Sequence, residues 1–212
     1  MLASLLSGGN FNITGFIIGL LLKLPIVFLA LSLHETAHGY VASKLGDPTA
    51  KNMGRITLNP VKHFDPIGFL CMVLFGFGWA KPVPINVFYF KKPKRDMALS
   101  AAAGPISNLL LALIFAILLK IELVFAPTFV VDEFTHNLYY WLSQFLTLGI
   151  TLNVGFAVFN LIPIPPFDGS RIFLIWLPQN TYFKIMRYEK QLYAVLMIAL
   201  VLGVLDTPLA VV

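Results

Sequence analysis

Four apolar stretches, near 12 to 44, 97 to 120, 136 to 161 and 191 to 205, constrain this chain more than any other feature. A helix crosses a bilayer core in about 20 mostly apolar residues. Composition points the same way, with 58% hydrophobic and only 12% charged residues, well outside the range of soluble domains. The sequence therefore predicts an all-α integral membrane protein with about four transmembrane helices. No polar or charged linker divides the 212 residues, so 1 to 212 reads as a single membrane-embedded domain. The first 22 residues hold no Lys or Arg, so the basic region of a cleavable signal peptide is missing and the N-terminus is expected to stay. The first stretch is too long for one straight span, which leaves either a kink at Pro25 or first turns lying at the interface.

Between the first and second spans, residues 63 to 90 are apolar too, but Pro66, Gly76, Gly78, Pro82 and Pro84 break them into pieces. The expectation is a re-entrant segment, a short helix followed by a strand-like loop, because irregular backbone at membrane depth must be buried in protein or line a wet cavity. Thirteen of the fifteen basic residues fall in three connections: Lys44 to Lys62, Lys81 to Arg95 and Arg171 to Lys190. Cytoplasmic loops collect Lys and Arg. Both termini are thus expected outside, with the re-entrant segment entering and leaving on the cytoplasmic side. The net charge of +5 reads as this orientation signal and as attraction to anionic headgroups, not as nucleic-acid binding. The span from Tyr182 to Lys190 reads as a surface helix meeting lipid. Trp79, Trp141 and Trp176 read as interfacial anchors. Cys71 is a small apolar filler.

Within the first span lies "HETAH", residues 34 to 38. Two histidines four apart lie about 40° from one another on a helix, so both imidazoles leave one face with room for one ion between them. Glu35 sits beside that position, suited to a bound water. This is the His-Glu-x-x-His pattern in which neutral imidazoles hold Zn²⁺ and a glutamate serves as general base. Ionisable groups in a membrane segment cost about 2.5 kcal/mol or more each on insertion scales, so three within five positions point to function.

A catalytic zinc site usually takes three protein ligands and keeps one position for water. Candidates for the third are Asp47, His63, Asp65, Asp168 and His136. The most telling neighbourhood is "FNLIPIPPFDGSR", 159 to 171, where Pro163, Pro165 and Pro166 deny a regular helix before Asp168 and Gly169. The charge pattern puts Asp168, His34 and His38 at the same cytoplasmic end of their spans. The alternative for Asp168 is a helix N-cap or an Asp-Gly turn. His63 and Asp65 are more simply read as fixing the turn into the re-entrant segment.

"HETAH" in the first span, "AGPISN" (103 to 108) in the second and "NLIPIPPFDG" (160 to 169) in the third together resemble the site-2 protease family of intramembrane zinc metalloproteases. "GDPTAKNMGRITLNPVKHFDPIG" (46 to 68) and "GWAKPVPIN" (78 to 86) resemble its compact bacterial branch, which lacks PDZ and CBS domains. The resemblance implies one Zn²⁺ per chain held by His34, His38 and Asp168, with Glu35 as catalytic base. It implies hydrolysis of a peptide bond in or near the transmembrane segment of a membrane-protein substrate, for regulated proteolysis or clearance of membrane peptides. It places Asn160, and with it Asn108, at the substrate or the developing oxyanion. It also implies that Lys81, Pro82, Val83, Pro84, Ile85 and Asn86 pair with an unwound substrate by strand addition. The family branch suggests a bacterial plasma membrane with the active site toward the cytoplasm. Two rivals stand beside this reading: a zinc or proton transporter, which needs a polar path that the outer halves of the spans lack, and a structural zinc scaffold, which normally fills a fourth protein ligand position. The sequence sets no oligomeric state.

Overall fold

The computed structural model describes residues 12 to 75 and 78 to 201. Among the described residues every regular element is helical. Helix α1 spans Ile13–Lys44, capped at its start by the Asn12 side chain, which accepts the Gly15 N–H at 3.0 Å. It runs through Pro25 without interruption. The long first stretch is therefore one helix, about 48 Å at 1.5 Å per residue, and extends past a bilayer core of about 30 Å. A short helix α2, Thr49–Asn52, and a single 3₁₀ turn, Pro60–Lys62, lead to α3, Pro66–Phe75. The long α4, Pro93–Phe129, and α5, Glu133–Asn160, follow, then the short α6, Asp168–Phe173, and α7, Gln179–Arg187, and α8, Glu189–Val201.

Among the described residues three helices, α1, α4 and α5, are long and apolar enough to cross a membrane. Helix α4 is the central element, packed against both α1 and α5, with α6 seated against it at one end. Ile26 and Ala30 of α1, Leu111 and Phe115 of α4, and Leu146 of α5 form the buried core between the three. Phe115 and Phe145 meet edge to face with centroids 6.1 Å apart. Away from this seam the helices stay apolar and exposed, as at Leu110, Leu113, Ile117 and Val124, as lipid-facing surfaces are.

Between the first two long helices the expected short helix is present and the expected strand is not. Helix α3 has ten residues, about 15 Å, too short to cross. The Lys81 N–H donates to the His63 carbonyl at 2.9 Å, so the chain that leaves at 63 returns beside its own start. The strand-like stretch is not a strand: residues 78 to 86 carry no ladder among the described residues, and Val87–Tyr89 forms a 3₁₀ turn. Pro82 and Pro84 lack the N–H a ladder needs. The stretch from 191 to 205 begins within α8, and its residues from 202 lie outside the described residues. Trp176 is 90% exposed and Trp141 43%, in keeping with interfacial placement.

Candidate metal centre

Helical spacing on α1 brings His34 and His38 together, their rings edge to face with centroids 4.5 Å apart. Asp168 arrives from a different part of the chain. After α5 ends, the prolines stop the helix and the backbone turns so tightly that a Cβ at Gly169 would lie 2.1 Å from the Leu161 carbonyl oxygen. That turn needs glycine, and it sets Asp168 as the first residue of α6. Phe167 holds the N-cap position and no side chain caps this helix, so the Asp168 carboxylate is not a cap. Its Oδ2 instead lies 3.2 Å from the Nε2 of His34 and 3.2 Å from the Nε2 of His38. All three residues are buried.

Hydrogen bonds fix where the imidazole protons are. On α5 the Asn153 Nδ2 donates to the Gly149 carbonyl at 2.8 Å, so its Oδ1 is turned toward α4 and accepts from Asn108 Nδ2 at 3.1 Å. Asn108 Nδ2 also reaches the Ala30 carbonyl at 3.4 Å. The Asn108 Oδ1 is therefore the atom that faces His34, and at 2.5 Å it accepts the His34 Nδ1–H. His38 Nδ1 faces the Ser100 carbonyl at 2.8 Å and must donate as well. In a neutral imidazole that donates from Nδ1 the Nε2 atom presents a lone pair, so both histidines can offer Nε2 as a ligand atom. Asp168 Oδ2 is buried without a hydrogen-bond partner. In the neutral imidazoles three acceptors thus converge on one point, the arrangement that a cation satisfies. Ligand atoms about 2.0 Å from a tetrahedral metal lie about 3.3 Å from one another, close to the spacings found. His34, His38 and Asp168 form the group of His, Cys, Asp and Glu side chains suited to a metal ion among the described residues.

Helix α4 approaches this cluster at Gly104. A Cβ there would lie 2.5 Å from His38 Cε1 and Nε2 and 2.6 Å from His34 Cε1. Glycine at this position is what lets α4 approach the two imidazoles so closely. Asn153 and the Ser100 carbonyl were missed altogether. The available signal for Asn153 was an amide in an apolar span, seven residues before Asn160 and so on nearly the same helix face.

The remaining candidates are occupied elsewhere. Asp47 is fully buried, its Oδ1 accepting from the Thr49 N–H at 2.9 Å and its Oδ2 from the Asn86 N–H at 2.7 Å. His63 Nε2 faces the Thr57 carbonyl at 2.8 Å. Asp65 caps α3 through the N–H groups of Ile67 and Gly68, and His136 is exposed on α5. Asn160 donates from Nδ2 to the Phe156 carbonyl of its own helix at 2.9 Å. Asn108 differs from expectation: it is fully buried and its amide is engaged at both ends within the protein, so it orients His34 rather than reaching outward.

Glu35, half-buried beside His34, accepts the Val83 N–H on Oε2 at 2.6 Å. The segment from Lys81 to Asn86 therefore lies across the face of α1 that carries the glutamate. Between its prolines Val83 owns the one N–H of residues 82 to 84. With Lys81 bonded to His63 and Asn86 to Asp47, Ile85 holds the one main-chain N–H of 81 to 86 that has no hydrogen bond among the described residues.

The profile described as Peptidase family M50 matches residues 127–204, a stretch that includes Asp168 and excludes the two histidines. A Bacillus subtilis protein named "Putative zinc metalloprotease YwhC" is 40% identical over 175 residues, 82% of this chain and 78% of that one. A similarly named protein of Methanocaldococcus jannaschii, MJ0611, is 32% identical over 180 residues, 84% of this chain and 79% of the other. Rip2 of Mycolicibacterium smegmatis, named in the same way, is 32% identical over 150 residues, 66% of this chain and 51% of its own length. No solved structure matches the chain.

Proposed function

This chain belongs to peptidase family M50, the site-2 proteases, and we propose that it cuts a peptide bond in or near the transmembrane segment of a membrane-protein substrate. It is a zinc metalloendopeptidase of the site-2 protease type. In the proposed arrangement one Zn²⁺ per chain is held by the Nε2 atoms of His34 and His38 and by Asp168. The observation that carries this reading is the convergence of two Nε2 lone pairs on a buried carboxylate oxygen that has no hydrogen-bond partner.

Bound there, zinc supplies Lewis acidity that lowers the pKa of water and polarises the scissile carbonyl. Glu35 takes the proton that water sheds and returns it to the leaving amine nitrogen. The Val83 N–H holds one of its carboxylate oxygens and leaves the other for this work. Asn108 and the Ser100 carbonyl keep both imidazoles in the tautomer that offers Nε2. Asn160, with one amide hydrogen on its own helix, keeps a second for the substrate or the oxyanion. Pairing of an unwound substrate along 81 to 86 draws on the Ile85 N–H and on carbonyls, since Lys81, Val83 and Asn86 already donate within the protein.

Four spans within a single domain over 1 to 212, a re-entrant segment within 63 to 90 and an active site toward the cytoplasm complete the proposal. The Lys81 to His63 closure and the Lys/Arg asymmetry support it. A bacterial plasma membrane, a transmembrane substrate and surrounding lipid are the matching setting. The test is cleavage of a tagged model transmembrane substrate by purified protein in detergent, comparing wild type, Glu35→Gln and Asp168→Asn with zinc content measured for each. Wild type should cut, Glu35→Gln should keep zinc and lose activity, and Asp168→Asn should lose zinc. An Asp168→Asn protein with full zinc and full activity would rule out the ligand set.

A further inference from the structure

One peptide group joins a buried cation to the catalytic glutamate. The N–H of Val83 donates to Glu35 Oε2 at 2.6 Å, and the carbonyl of the same peptide unit, that of Pro82, accepts from Arg55 Nη2 at 3.2 Å. The same Nη2 also reaches the Lys81 carbonyl at 2.8 Å. Arg55 is 7% exposed. No carboxylate lies within ion-pair distance of it among the described residues, and its Nε is buried without a partner. Burying a guanidinium against two carbonyls is a costly way to fasten a loop, because a desolvated cation without a counter-ion carries a penalty that neutral acceptors offset only in part.

We infer that Arg55 is a positioning residue for Glu35, acting through the Pro82–Val83 peptide; the inference rests on Glu35 serving as the base. A cation at the carbonyl end of a peptide polarises that peptide and strengthens the hydrogen bond made by its N–H. The flanking sequence gives this bond no competitor. Pro82 and Pro84 have no N–H of their own and fix their φ angles, so of residues 82 to 84 only Val83 can offer Glu35 a donor. Val83 is pinned from its other side as well: its Cγ1 lies 3.1 Å from where a Cβ at Gly39 would be, so side chain and backbone rest together on α1. Further along, Asp47 ties down Asn86. The strap is thereby fastened on both sides of the residue that meets the glutamate, and the fastening on the Val83 peptide itself is Arg55.

A base held in one place lowers the barrier without changing how substrate binds, so the effect belongs in kcat. In the detergent assay, Arg55→Met should lower kcat about 10- to 100-fold, the range for residues that orient a metal-site group. KM should stay within about twofold, and zinc content should match wild type. Arg55→Lys should recover part of kcat, and low guanidinium chloride should raise kcat of Arg55→Ala without raising that of wild type. Val83→Pro, which deletes the donor itself, should match Arg55→Met, and the double variant should be no slower than either single one. Full kcat in Arg55→Met, loss of zinc in both Arg55→Met and Arg55→Lys, or multiplying effects in the double variant would each overturn the inference. Glu35→Gln run alongside separates the two levels: if it still cuts, the role of Glu35 falls, whereas if it is inactive and Arg55→Met is fully active, only the role of Arg55 falls.

Discussion

The Oδ1 of Asn108, on α4, accepts the Nδ1–H of His34, on α1, at 2.5 Å across 74 residues of sequence. Through Asn153 the direction of that bond is set by the Gly149 carbonyl on α5, so all three long helices take part in deciding which nitrogen of His34 is free. Asn108→Ala should lower zinc affinity about 10- to 100-fold, the usual cost of removing a hydrogen-bond partner from a metal-binding histidine. Asn153→Ala should cost less, because Asn108 Nδ2 keeps the Ala30 carbonyl. Competition with a calibrated chelator measures both.

Gly104 should tolerate no side chain. Gly104→Ala places a Cβ within 2.6 Å of both imidazoles, so either α4 or the rings must move. Zinc content and activity should both fall sharply. Gly155, in the same bundle, has nothing within 4 Å of a Cβ. Gly155→Ala should keep zinc and activity and raise the melting temperature, since alanine is favoured over glycine in a helix by about 1 kcal/mol.

Metal removal should lower stability as well as activity. An ion that binds only the folded chain adds about 4 kcal/mol when present at a thousand times its dissociation constant. Chelated wild type should melt at a lower temperature and be inactive, with both properties restored by added Zn²⁺. Glu35→Gln should show the same thermal shift without activity. Asp168→Asn should show little or none.

A pH effect should come from the connection between α4 and α5. Asp132 caps α5 in a capping box with Thr135, whose hydroxyl and N–H both bond its carboxylate. These bonds, the side-chain one foremost, hold the Asp132 carboxyl below its ordinary value. A lowered folded pKa means stabilisation that is complete above the unfolded value of about 3.9 and is lost as pH falls through the folded one. Asp132→Ala should therefore melt below wild type at pH 7, and the gap should close in strong acid. Thermal scans in detergent at several pH values test this.

His34, Glu35 and His38 were legible because their geometry is local: helical periodicity alone puts two residues four apart on one face. The long apolar helices were legible for a similar reason, since span length follows from bilayer thickness. Asp168 was one of five candidates on residue type, and resemblance favoured it. The structure separates it from Asp47, Asp65, His63 and His136 because each of those sits elsewhere, capping, bonded to the strap or to a backbone carbonyl, or exposed. The strand-like loop was misread for a physical reason: apolar, β-prone residues suggest a strand, but a strand exists only with a partner ladder, and two prolines withhold the donors.

The sequence by itself determined that the chain is helical and apolar enough to enter a membrane, and that α1 carries the proposed metal-binding pair and the proposed base beside it. Those are consequences of hydropathy and of a fixed 3.6-residue turn. Only the tertiary structure decided which carboxylate meets the histidines, which of their nitrogens is free, why Gly104 cannot bear a side chain, and that Arg55 stands one peptide away from Glu35. Each of these depends on atoms brought within about 3 Å of one another from segments tens of residues apart, and such distances are set by packing between helices, which no local pattern encodes.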